Sequence, residues 1–117
     1  VLQLTPFFST EDEELIMPAM KHCISARWNP LFTDITLQGA DKGSALLKMA
    51  VYIGIDPSEC IAFGDGGNDM SILRAAGIGV AMGNANEDVQ AVANYVTTSV
   101  DEDGIRNAFI HFNIIEE

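Results

Sequence analysis

Two aspartates four residues apart, Asp65 and Asp69, lie in the segment Phe63-Gly64-Asp65-Gly66-Gly67-Asn68-Asp69-Met70. The apolar run from Cys60 to Phe63 reads as a strand covered on both faces. That puts Asp65 just past its end, at the carboxyl edge of a sheet, where open α/β folds place their ligands. Gly66 and Gly67 let the backbone turn sharply, and Asn68 is expected to cap and open the next helix. Asp69 is near enough to Asp65 to share a metal or to fix its ligands. Carboxylate oxygens suit a hard ion that keeps several waters, so the ion implied is Mg²⁺, and the lack of a His/Cys cluster disfavours zinc. A solvated turn with an N-cap is the bland alternative for such residues. The position after an apolar strand favours chemistry.

Lys42, in Asp41-Lys42-Gly43, is the second candidate. A lysine at the start of a helix opposes the helix dipole, so its presence calls for a reason. Its ammonium could neutralise a phosphoryl group, although an exposed solvating lysine is the commoner fate of a single Lys.

The elements that must position these residues follow from the pattern. Leu46, Leu47, Ala50 and Ile53 recur at helical spacing after Asp41 or Ser44, Gly54 ends that helix, and Asp56-Pro57 turns the chain. Asn68 to Gly77 reads as a helix carrying Met70, Leu73 and Ala76. Ile78 to Met82 is a second buried strand, and Asn86 opens a helix bearing Val89, Val92 and Ala93. Tyr95-Val96-Thr97 is a third strand, and Ile105, Ala108, Phe109 and Phe112 mark a last helix. Alternating helices and apolar strands predict an α/β fold with parallel β-α-β units, half of a doubly wound, Rossmann-like sheet. The first 41 residues differ. They predict a strand from Val1 to about Phe7, a helix from Ser9 or Thr10 in conflict with Pro18, and strands at Ile24 to Trp28 and Phe32 to Leu37. The composition shifts near Gly39.

Asp41-Lys42-Gly43, then Phe63 to Met70, then Ala76-Gly-Ile-Gly-Val-Ala-Met-Gly-Asn-Ala85, resemble the C-terminal part of a haloacid dehalogenase (HAD) superfamily phosphatase of the Cof type. The resemblance is close over about Asp34 to Phe112. It implies residues 1–40 as the C-terminal part of an α/β cap and 41–117 as the second half of the HAD-type core. The activity implied is Mg²⁺-dependent hydrolysis of small phosphomonoesters, often sugar phosphates, through an aspartyl-phosphate. Carried over by position, Asp65 is the Mg²⁺ ligand and Asp69 the acid that orients the metal and its waters. Asn68 is a polar contact to phosphate, Lys42 the cation bridging nucleophile and phosphoryl oxygens, and Asn84 a residue behind the ligands.

Members of that family begin with a strand ending in Asp-x-Asp, the nucleophile and general acid, followed by a phosphate-binding Ser or Thr. These motifs are expected upstream of Val1, which lies in an apolar-alternating stretch with no initiator Met. Asp101-Glu102-Asp103-Gly104 imitates the pattern by letter but reads as the cap of the last helix. The 117 residues alone are therefore expected to be inactive and to bind metal weakly.

Six Lys plus Arg against seventeen Asp plus Glu leave a net charge of −11, which argues against nucleic acid as a partner and favours divalent cations. A small phosphorylated metabolite is the expected partner, and no apolar run is long enough to predict a membrane span. Cys23 and Cys60 read as buried thiols of a reducing, cytoplasmic compartment, with a disulfide as the alternative. His22, His111, Trp28 and Phe32 read as structural, and Gly77-Ile78-Gly79 lacks the third glycine of a dinucleotide fingerprint, Met82 standing in its place. Two other readings remain open. One is a cation-pump phosphorylation domain, which shares a Gly-Asp-Gly-x-Asn-Asp segment. The other is a non-enzymatic remnant or acidic interaction module that covers its open sheet edge by forming a homodimer.

Overall fold

Ser9 accepts a hydrogen bond from the Asp12 N–H while the Asp12 carboxylate accepts one from the Ser9 N–H, each at 3.2 Å. This reciprocal cap starts a helix at Thr10. The structure, a computed structural model, describes residues 2–116. The chain divides into two units, 1–41 and 42–117.

In the first unit, β1 (Gln3–Leu4), α1 (Thr10–Ile16), β2 (Cys23–Asn29) and β3 (Phe32–Leu37) follow in order. The strands form an antiparallel sheet in the order β1-β3-β2. The expected first strand shrinks to two residues. Pro6 has no N–H to continue the ladder, and its carbonyl instead accepts the Thr33 N–H at 3.3 Å; Val1 lies outside the described residues. Pro18 resolves its conflict by sitting at the start of a 3₁₀ turn, Met17–Ala19, so α1 stops at Ile16. Inside this unit Arg27 is an organiser. Its guanidinium donates to Glu13 and to the carbonyls of Phe8, Ser9, Asn29, Pro30 and Phe32, tying α1 to the β2–β3 hairpin. Trp28 donates to Asp34 at 2.9 Å and packs edge-on against Phe32.

In the second unit, α2 spans Lys42–Ile53 and ends where Gly54 takes φ +75°, a left-handed conformation that suits glycine. Asp56 then caps the 3₁₀ turn Pro57–Glu59. The remaining elements are β4 (Ile61–Gly64), α3 (Met70–Ala75), β5 (Ile78–Ala81), α4 (Glu87–Gln90), β6 (Tyr95–Val96) and α5 (Gly104–His111). The sheet runs β4-β5-β6, all parallel, with Ile61 opposite Ile78, Gly64 opposite Ala81 and Ala81 opposite Val96. The core gathers Leu73, Ala81, Ala85 and Val89, with Met70, Val92 and Ala93 packed against them. Phe109 of α5 meets Phe63 edge to face at 5.3 Å.

Several expectations need correction. α4 is one turn long, because the chain from Ala91 turns toward β6 and Asn94 takes the Gly79 N–H on its side chain at 2.7 Å. Both cysteines are half-buried free thiols rather than fully buried ones. His111 has the structural role expected of it, its ring stacking on Tyr95 at 4.1 Å. Among the described residues no helix is long and apolar enough to cross a membrane.

Candidate active site

Asp65 follows β4 directly and is exposed, while Asp69, four residues on, is buried. Between them a 3₁₀ turn, Gly67–Asp69, leads into α3. The expected helix cap is corrected here. Gly66, not Asn68, occupies the cap position, and the Asp69 carboxylate satisfies the turn. Its Oδ2 accepts the N–H groups of Asp65 and Gly66, each at 3.1 Å. Gly64 makes this fold-back sterically feasible, because a Cβ there would collide with the Asp69 side chain. Asn68 is half-buried in the middle of the turn.

The other Asp69 oxygen, Oδ1, accepts from the Lys42 ammonium in an ion pair. The pair supplies the reason for a lysine at the first position of α2, since a buried carboxylate more than offsets the opposing dipole. Lys42 remains half-exposed, so its head also faces solvent beside the site. Gly43, next in α2, donates its N–H to Ser71 Oγ at 3.1 Å, which locks the start of α2 to α3. Asn84, just beyond β5, donates to Asp65 Oδ2 at 3.1 Å and accepts the Val100 N–H at 3.0 Å.

The structure thus brings Lys42, Asp65, Asp69 and Asn84 together at the carboxyl edge of the parallel sheet. Sequence reading did not single out Ser71 or the Val100 amide. A hydroxyl accepting from a backbone N–H 28 residues away leaves no local pattern. Asp101 to Gly104 contributes no carboxylate to this cluster: Asp101 and Glu102 lie in the 3₁₀ turn Val100–Glu102, and Asp103 is the residue before α5.

Burial pushes the Asp69 carboxyl up, but the hydrogen bond from Lys42, the N–H groups of Gly66 and Asp65, and the lysine's charge outweigh it. The carboxyl is held below the ordinary aspartate value of 3.8. The unfolded chain therefore takes up this proton at higher pH than the folded one. The stabilisation is present above that ordinary value and is lost as pH falls through the lowered one. Urea midpoints recorded from about pH 5 down to about pH 2 should fall more steeply for the wild type than for Asp69→Asn. Parallel profiles would contradict the pairing.

Among the described residues no group of three or more His, Cys, Asp or Glu side chains forms a cage for a metal. The carboxylate pair instead fits an ion of the Mg²⁺ kind, which binds through one or two carboxylates and completes its shell with water and phosphate oxygens. Asp65 is the exposed member. Each oxygen of Asp69 is already held within the chain, which suits it to fixing the loop.

These features define the class. The profile of the haloacid dehalogenase-like hydrolases matches residues 7–109, and the chain belongs to that family. It superposes with a TM-score of 0.95 at 49% identity on the HAD subclass IIB sugar phosphatase BT4131, covering 98% of this chain and 44% of that one. BT1666, a HAD-superfamily phosphatase from Bacteroides thetaiotaomicron, gives 0.93 at 46% identity, over 97% of this chain and 42% of its own. The putative phosphatase YkrA of Bacillus subtilis is 35% identical over 109 residues, 93% of this chain and 42% of YkrA. An uncharacterized protein of Geobacillus stearothermophilus, from the pdhA 5′ region, is 42% identical over 89 residues, 76% of this chain and 94% of its own length. The chain thus spans less than half of the phosphatases it resembles.

Proposed function

We propose that the protein carrying this chain is a Mg²⁺-dependent phosphomonoesterase of small phosphorylated metabolites, sugar phosphates foremost. The observation that carries the reading is the Lys42–Asp69–Asp65 arrangement: an exposed carboxylate on a loop braced by a buried one, with an ammonium paired to the buried one. The likeness to a sugar phosphatase supports the substrate class.

Asp65 would hold the ion, and Asp69 keeps Asp65 in place through the N–H groups it gathers. The ion, when bound, supplies charge neutralisation at the phosphoryl oxygens. Lys42 neutralises further charge there, and Asn68, half-buried in the middle of the turn, offers a polar contact to the phosphate. In a chain of net charge −11 these groups would let an anionic ester approach. The nucleophile and general acid would come from an Asp-x-Asp strand that has no counterpart in the 117 residues, and the aspartyl-phosphate would form there. Residues 1–40 would be the end of a cap that shapes substrate choice. We assign the protein no nucleic-acid or membrane partner and a cytoplasmic location.

The test is hydrolysis of an aryl phosphate by the natural protein that carries this chain. Turnover should vanish in EDTA and return on adding Mg²⁺. Turnover indifferent to EDTA would contradict the proposal.

A further inference from the structure

Asn84 occupies an exposed position after β5, yet its amide is committed at both ends. The Val100 N–H can only donate, so Oδ1 of Asn84 must face it. Nδ2 is thereby turned toward Asp65, whose ionised carboxylate can only accept. The two bonds select each other, and the side chain has one orientation that satisfies both. Without a partner, an exposed Asp65 on a glycine-flanked loop would sample several rotamers. The amide instead ties its carboxylate to the backbone of the turn before α5.

We infer that Asn84 is a positioning residue for the divalent cation: it clamps the Asp65 carboxylate, through the Val100 N–H, in the orientation that receives the ion. The inference rests on the proposed role of Asp65 as metal ligand. Partners hydrogen-bonded to a ligating carboxylate typically govern metal affinity by about 10- to 100-fold. The clamp can be opened from either end. Asn84→Ala removes the amide. Val100→Pro removes only the donor that orients it, at the first position of a 3₁₀ turn, where proline is tolerated. Ser99 before it already has the extended backbone, φ −66° and ψ 167°, that a residue preceding proline adopts.

The experiment is a calorimetric titration with Mg²⁺ alone of the natural protein and the two variants, with melting temperatures recorded alongside. Both variants should melt within a few degrees of the wild type and bind Mg²⁺ about tenfold more weakly or worse. Their KM for an aryl phosphate at saturating Mg²⁺ should stay unchanged, which a general loosening of the site would not allow. Wild-type Mg²⁺ affinity in either folded variant overturns the inference and leaves the metal reading standing. A wild-type protein that takes up no Mg²⁺ overturns that reading and the inference with it. If Asn84→Ala fails to fold, Val100→Pro decides alone.

Discussion

Replacing Asp65 by Ala is expected to cut phosphate-ester turnover by about 10³-fold or more while leaving the fold nearly as stable as before. The two halves of that expectation have separate causes. Asp65 is exposed and its carboxylate is held by the amide of Asn84, so its removal costs the folded state about 1 kcal/mol at most. The proposed ion, by contrast, supplies several kcal/mol of charge stabilisation in the transition state, and about 4 kcal/mol corresponds to that loss in rate. Melting temperature and turnover measured on the same preparation check both halves. Turnover within tenfold of the wild type would remove Asp65 from the site.

Asp69→Ala should behave differently, losing both stability and activity. The buried Asp69 carboxylate accepts from two backbone N–H groups and from Lys42. Its removal leaves the amides of Asp65 and Gly66 without their acceptor, at a cost of roughly 3 kcal/mol. Lys42 adds little to that figure, because its half-exposed head returns to water. Activity should fall by at least about 10²-fold, since a loop displaced by an ångström misplaces the ligand it carries. Denaturant unfolding and turnover, compared with Asp65→Ala, separate the brace from the ligand. If both variants lost activity alone, with equal stability, Asp69 would not be the brace described.

The contrast between these aspartates shows what was legible in the sequence. The parallel half-sheet could be read because its signals are local: the apolar run up to Phe63, Gly54 after a helical repeat, Asp56-Pro57 at a turn. The hairpin strands could be read as two strand-like stretches, Ile24 to Trp28 and Phe32 to Leu37, and α1 from the acidic turn after Ser9. The candidate residues stood out by type and spacing, but their partners did not. Whether Asn68 or Asp69 serves the turn depends on which side chain folds back over Gly64, a three-dimensional fact that linear spacing leaves open. Lys42 and Asp69 are 27 residues apart, and only the packing of α2 on α3 brings them together. Arg27 was invisible for a related reason: apart from Glu13, its partners are backbone carbonyls, which carry no residue identity.

The roles proposed for the site all turn on Asp65 holding a divalent cation at the carboxyl edge of the sheet. The most direct test is a calorimetric Mg²⁺ titration of the wild-type protein and Asp65→Ala, side by side near neutral pH. Saturable uptake at one site is expected in the wild type and none in the folded variant. Superimposable isotherms would contradict it.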